Sequence, residues 1–176
     1  MPEPKLPMQS FGTCCRAPVS KEILRYNVGL DHDEDMLLTL ARFYFESFAV
    51  PDTHSWMRGI DEAALHFGDD KGAIVAQRLL FALQSMRFAR RSVFNFNSPT
   101  CEECSSIVTE HERRLMAAIQ GVRLGWQSIV KTELMMLCEG NDTAIVEQSF
   151  VKLAAALPAL PTAQKIHRAA GPPSEH

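Results

Sequence analysis

The sequence predicts an all-α protein, a bundle of about five helices with an irregular N-terminal arm and a disordered C-terminal tail. Two observations support this fold class. Apolar residues recur at three- and four-residue spacing over several long segments, as on the buried face of a helix. Acidic or hydroxyl residues precede these segments and glycine or proline follows them, where helices begin and end. No segment shows the alternation expected of a half-buried strand.

The composition is that of an ordinary globular protein. The chain has 176 residues, of which 46% are hydrophobic and 22% charged, enough for one domain with a substantial core. Its formal net charge of −3 argues against a surface devoted to nucleic acid or anionic membrane. No apolar stretch reaches the length of a membrane span, and the proline-containing N-terminus lacks the apolar core of a secretory signal. We therefore expect a cytoplasmic protein that does not enter the membrane.

Three regions are predicted along the chain. Residues 1–20 contain four prolines and no periodic pattern, which predicts an irregular arm. Residues 21–158 carry the helical patterns and are predicted to form a single domain. Residues 159–176 are rich in proline and alanine without an apolar stripe, which predicts a flexible tail.

The first predicted helix follows an acidic cluster, Asp31 to Asp35, and ends before Pro51. Acidic side chains at a helix N-terminus cap backbone N–H groups and offset the positive end of the helix dipole. We interpret the cluster in this way. The alternative, a carboxylate metal site, lacks the spacing and the glycine of an EF-hand loop.

The second predicted helix starts at Asp52 or Thr53 and ends at Gly68. Its predicted buried residues are Trp56, Ile60, Ala63, Ala64 and Phe67. The third helix starts at Asp69 or Asp70 and is apolar around much of its circumference. Such a helix is normally central in a bundle or buried between subunits, which predicts a protein partner or self-association.

The fourth predicted helix is the longest, running from residue 101 to Gly140. Thr100 and Glu103 match the spacing of a capping box at its start. The fifth follows Asn141 or Asp142 and ends before Pro158.

The cysteines carry the most distinctive chemistry. Their number, five, is odd, and for a chain of this size we expect reduced thiols; they are Cys14, Cys15, Cys101, Cys104 and Cys138. Cys101 and Cys104 form a CxxC motif on one face of a predicted helix start, close enough to form a disulfide or share a metal ion. The helix N-terminus favours a thiolate, whereas Glu102 and Glu103 disfavour it. An inert pair, a metal site and a redox pair all remain open.

The candidate ligands of a metal site are Cys101, Cys104, His111 and His66, and zinc is the candidate ion. Seven residues of straight helix would separate Cys104 from His111 by about 10.5 Å, too far for a compact local site. Further ligands would therefore come from other segments. Besides His66, these are Cys138 and the adjacent pair Cys14 and Cys15.

A basic and aromatic segment follows the third predicted helix. Arg87, Arg90 and Arg91 are interleaved with three phenylalanines, a mixture that can bind phosphates and stack on bases. The alternative is structural, because arginines near a helix C-terminus suit its dipole and phenylalanines can cover the end of a bundle.

No catalytic residues can be assigned. The sequence has no nucleotide-binding fingerprint, no assignable Ser-His-Asp set and no Glu-x-x-His motif of di-iron bundles. We predict a cytoplasmic regulatory or accessory protein that acts by binding. The alternatives are a CxxC-centred zinc or thiol-redox protein and a nucleic-acid-binding regulator that uses the arginine cluster.

Overall fold

The computed structural model describes residues 20–160 and confirms the all-α prediction. Seven helices fall within this range, against the five or so predicted. They are α1 His32–Ala49, α2 Ser55–Phe67, α3 Asp69–Ala89, α4 Glu102–Ser105, α5 Glu110–Leu124, α6 Gln127–Leu137 and α7 Ala144–Ala156. Short 3₁₀ turns cover Arg25–Asn27 and Pro51–Thr53.

The predicted fourth helix is the main correction to the architecture. It is divided into α4, a two-residue strand β2 (Ile107–Val108), α5 and α6. β2 pairs antiparallel with β1 (Ile23–Leu24), an interaction too short to leave an alternating pattern in the sequence. Gly125, in the left-handed conformation at φ 76°, ends α5 and allows the chain to turn into α6.

Side chains cap the starts of α1, α4 and α5, although not always at the predicted residue. Asp31 and Glu34 form a capping box at α1, which confirms the interpretation of the acidic cluster. The second box joins Thr109 and Glu112 at α5. The one predicted at Thr100 is absent, because Cys101 is the N-cap of α4 and its Sγ accepts the Cys104 N–H at 3.5 Å.

The core is built around α3, which packs against α2 on one side and α7 on the other, while α5 packs against α6 and α7. Four residues of α3 face the core and are completely buried: Val75, Leu79, Leu83 and Met86. The predicted central position of α3 is thereby confirmed. Other apolar residues of α3 remain exposed, and they form the surfaces described below.

Helix α2 contacts α1 through small residues, contrary to the predicted burial of Trp56 and Ile60. Gly59 and Ala63 are buried, and a Cβ placed at Gly59 would lie 3.4 Å from the Phe43 Cβ. Trp56 and Ile60 are instead 43% and 38% exposed. Close approach of the two helix backbones requires small side chains, which leaves the large ones beside the contact.

The terminal predictions lie almost wholly outside the described residues. Of the arm, only Ser20 is described, and of the tail, only Ala159 and Leu160. Leu160 is buried against the bundle. No helix between residues 20 and 160 is both long enough and apolar enough to cross a bilayer.

Candidate functional site

A buried ion pair lies at the centre of the end of the bundle that carries the CxxC motif. Arg42 of α1 and Glu112 of α5 are both inaccessible to solvent, and they interact through two bonds: Arg42 Nε to Oε1 at 2.7 Å, and Nη2 to Oε2 at 3.0 Å. Such paired geometry suits the planar guanidinium and offsets part of the cost of removing both charges from water.

The remaining hydrogen bonds of this pair hold the irregular chain between α3 and α5. Arg42 donates to the carbonyl oxygens of Ser105 and Ile107 at 2.7 and 2.6 Å. Glu112 accepts from the backbone N–H groups of Asn97 and Thr109. The pair therefore fixes the backbone that follows the CxxC motif.

The two cysteines of the CxxC motif differ in state. Cys104 is buried and disulfide-bonded, whereas Cys101 is partly exposed and its thiol is not part of a disulfide. The motif is thus not closed upon itself, and the expectation of reduced thiols is wrong for Cys104. Cys138 is a buried free thiol whose pKa is raised by burial, despite the opposing effect of Arg90. Cys14 and Cys15 lie outside the described residues.

His111 lies in a cleft of ≈550 Å³ whose lining combines polar residues, among them Lys21 and Glu110, with apolar ones such as Phe94 and Phe96. Its Nδ1 accepts the Asn95 backbone N–H at 2.8 Å, so the neutral ring carries its proton on Nε2. The pKa of His111 is lowered, first by burial and then by nearby Arg90. Three further charges have smaller effects on this pKa: Arg114 lowers it, whereas Glu110 and Glu139 raise it.

This environment predicts a pH-dependent stability. Below about pH 6.5 the unfolded chain binds a proton at His111 more readily than the folded chain does. The free energy of unfolding should therefore decrease as the pH is lowered. His111→Asn removes the titration but keeps an acceptor for Asn95. Urea unfolding between pH 7 and pH 5 should show a steeper loss for the wild type than for this variant. Parallel pH profiles would contradict the assignment.

His66 is engaged elsewhere, with Asp33 of α1. Its Nε2 lies 2.9 Å from Asp33 Oδ1, and its ring centroid is 4.4 Å from that of His32. Within residues 20–160, no three His, Cys, Asp or Glu side chains are arranged to hold a metal ion. The zinc hypothesis built on Cys101, Cys104, His111 and His66 therefore gains no support from the described part of the chain.

Two members of the arginine cluster make intramolecular contacts. Arg90 donates to the Leu137 carbonyl at 2.7 Å and lies near Glu139, and burial lowers its pKa. Arg87 lies over the Phe48 ring, 4.0 Å from its centroid, whereas Arg91 is exposed. These contacts fit the structural interpretation of the cluster, and nucleic-acid binding stays a prediction.

A groove between α3 and α7 brings together exposed apolar residues that the sequence analysis did not single out as a site. Two adjacent depressions of ≈290 and ≈470 Å³ share Phe81, Ser85 and Ile145. Phe88 lies at one end, and Phe81, Phe88 and Ile145 are 58%, 82% and 73% exposed. We call this surface the α3–α7 groove.

The sequence analysis also missed Arg42 and Glu112. Two signals could have indicated them. Arg42 is the only charged residue in the apolar run from Met36 to Phe45, which is unusual for an arginine that faces solvent. Thr109 and Glu112 match the capping box as well as Thr100 and Glu103 do.

Similarity to known proteins adds nothing to these observations. Comparison with protein-family models, with curated proteins and with solved structures finds no match for this chain. The function is therefore proposed from the geometry of residues 20–160 alone.

Proposed function

We propose that this chain is an accessory or regulatory protein that acts by binding protein, and that a second copy of the chain occupies the α3–α7 groove. The observation that carries the proposal is the clustering of Phe81, Phe88 and Ile145 along one groove. Single exposed apolar side chains are ordinary on protein surfaces, whereas contiguous ones mark interaction sites. Aromatic residues in particular are enriched in interfaces.

The charges at the two ends of the groove favour a second copy as its occupant. Arg78 and Lys152 line one end, and Asp142 lines the other. Neither cation forms an ion pair within residues 20–160. A two-fold axis at right angles to the length of the groove would pair two copies antiparallel. The basic end of each copy would then lie over the acidic end of the other, which is the self-complementarity that a symmetric dimer needs.

Phe81→Asp tests this proposal. It places a charge at the middle of the groove on a residue that contributes little to the core, so folding should persist while self-association is lost. We expect light scattering to give twice the 19.7 kDa chain mass for the wild type and a single chain mass for the variant. A dissociation constant raised about 30-fold or more corresponds to the loss of a central aromatic contact.

The matched control is Leu65→Asp, which makes an equally polar change at an 82% exposed position of α2. It should leave the mass unchanged. A wild type that stays monomeric over the whole accessible concentration range would refute the dimer, as would a Phe81→Asp variant that remains dimeric.

A second candidate function is thiol–disulfide exchange at the CxxC motif. It is supported by the presence of a thiol that is not in a disulfide, that of Cys101, three residues before the disulfide-bonded Cys104. Attack by the Cys101 thiolate on the Cys104 sulfur would form a Cys101–Cys104 bond, break the existing bond and release the former partner as a thiolate. The zinc alternative requires the reduced form of the same residues.

Alkylation with iodoacetamide without reductant tests the starting state for this exchange. Cys101 should be modified readily, because its thiol is not in a disulfide and is partly exposed. Cys138 should react slowly, because it is buried and its pKa is raised. Cys104 should be modified only after reduction, as followed by peptide mass spectrometry. Equal labelling of Cys101 and Cys104 without reductant would remove this candidate and return the pair to the zinc or inert interpretation.

A further inference from the structure

A second concavity lies between α1, α2 and α3, and it uses a different stripe of α3 from the α3–α7 groove. Its volume is ≈670 Å³, within the range of pockets that hold small organic ligands. Its apolar lining comes from Tyr44, Phe48, Pro51, Trp56, Ile60 and Leu80. We call it the α1–α3 cleft.

The apolar surface of the α1–α3 cleft is concentrated rather than scattered. Trp56, Ile60 and Leu80 are 43%, 38% and 38% exposed, and all three line the same concavity. The first two were predicted to be core residues. They are displaced from the core because Gly59 and Ala63 make the contact with the bundle, so their exposed surface lies in a cleft rather than on a convex face.

The floor of the cleft is closed by Tyr44 and Ala76, which are only 1% and 2% exposed. The Tyr44 hydroxyl donates to the Ala76 carbonyl oxygen at 3.1 Å, and burial raises the pKa of Tyr44 to about 12. The hydroxyl is therefore neutral and already hydrogen-bonded. Ala73, which is exposed, adds only a methyl group to the lining.

The wall formed by the loop from α1 to α2 is held in place before any ligand arrives. His54 adopts the left-handed conformation at φ 50°, an uncommon state for a residue other than glycine. The Ser55 hydroxyl donates to the Glu46 carboxylate at 2.5 Å, and the backbone N–H of Trp56 donates to Ser47 Oγ at 2.7 Å. These bonds fix the backbone at Trp56, and a preformed wall reduces the entropy lost on binding.

The charge of the lining selects the class of ligand. No Asp, Glu, Lys or Arg is among the residues that line the cleft, and its polar groups come from Ser47, His54 and Gln77. The lining itself offers a charged ligand no counter-charge to replace its hydration. Arg87, which lies over the Phe48 ring, lines a neighbouring depression and not this cleft. The α3–α7 groove differs, because charges stand at both of its ends.

We propose that the α1–α3 cleft is a binding site for an uncharged, largely apolar small molecule with an aromatic ring system. Its rings pack against Trp56, Phe48 and Leu80, and His54 and Gln77 at the rim offer hydrogen bonds to a polar substituent. The site is independent of the proposed dimer, since the two surfaces share no lining residue.

Titration with N-phenyl-1-naphthylamine, an uncharged probe that fluoresces in apolar surroundings, tests this site. We expect saturable binding of one probe per chain. Ala73→Phe adds a ring inside the cleft from an exposed helical position and should weaken binding at least tenfold. The matched control, Ala155→Phe, makes the same change at an exposed position of α7 and should bind as the wild type does.

Two further titrations make the result specific. Anilinonaphthalene sulfonate carries similar rings with a negative charge, and it should bind at least tenfold more weakly than the neutral probe. The Phe81→Asp variant should bind the neutral probe normally. Unchanged binding by Ala73→Phe, equal binding of the anionic probe, or loss of binding in Phe81→Asp would each overturn the proposal. So would conversion of a dimer to a monomer by Ala73→Phe, because a second copy would then be the occupant of the cleft.

Discussion

Glu112→Ala is expected to lower the free energy of unfolding by about 3–5 kcal/mol, the usual effect of breaking a buried ion pair from one side. Arg42 is completely buried, so its guanidinium would lose its counter-charge while shielded from bulk water. Two backbone N–H groups, those of Asn97 and Thr109, lose their acceptor at the same time. Because folded domains are stable by only about 5–15 kcal/mol, the loss is a large share of the total.

The measurement is urea unfolding followed by circular dichroism. Glu133→Ala is the control, since Glu133 also pairs with an arginine, Arg114, at 3.1 Å but lies nearer the surface. Removing this pair should cost no more than about 1 kcal/mol. The double variant Arg42→Met with Glu112→Leu should recover part of the loss, because no buried charge is left alone. If Glu112→Ala and Glu133→Ala lowered the free energy of unfolding equally, burial of the ion pair would not determine the cost of breaking it.

Gly72→Ala is the second large expected effect, and its sign opposes helix propensity. Alanine is the better helix former by about 1 kcal/mol. At Gly72, however, an added Cβ would lie 2.4 Å from the Ala63 carbonyl oxygen and 2.6 Å from the Ala64 Cα. Both are backbone atoms of α2, so the helices must separate. We expect a loss of about 3 kcal/mol in the free energy of unfolding, at the upper end of the range for overpacking.

Gly59→Ala provides the matched control in the neighbouring helix. Its added Cβ would lie 3.4 Å from the Phe43 Cβ, which is ordinary van der Waals contact. Helix propensity should then decide the result, and the variant should be as stable as the wild type or slightly more so. If Gly72→Ala were also neutral, the close approach of α2 and α3 would be wrong.

Local chemistry explains which parts of the fold could be predicted from sequence. Asp31 caps α1, Gly68 ends α2 and Asp69 begins α3, as their residue types indicate. Each depends on neighbours within one turn of the chain. The break after α4 was missed although Thr109 and Glu112 match a capping box, because the apolar pattern continues through the break and tertiary bonds from Arg42 hold it open.

The candidate sites depend on contacts between distant segments, and these were not predictable. Arg42 and Glu112 are 70 residues apart, and only the fold brings them together. Trp56 was placed in the core because its spacing fits the apolar stripe of α2, yet Gly59 and Ala63 determine which side of that helix meets α1. The excess of apolar surface on α3 was recognised, but not its division between a cleft and a groove.

The most direct test of the proposed function is zero-length carbodiimide crosslinking of an equal mixture of ¹⁴N- and ¹⁵N-labelled protein. Asp142 lies two residues before α7, and Lys152 lies eight residues, about 12 Å, beyond its first residue Ala144, so an amide between the two is not expected within one chain. Antiparallel pairing across the α3–α7 groove predicts a mixed-isotope peptide that joins Lys152 of one copy to Asp142 of the other. Crosslinked dimers that lack this peptide, or no intermolecular crosslink at all, would contradict it.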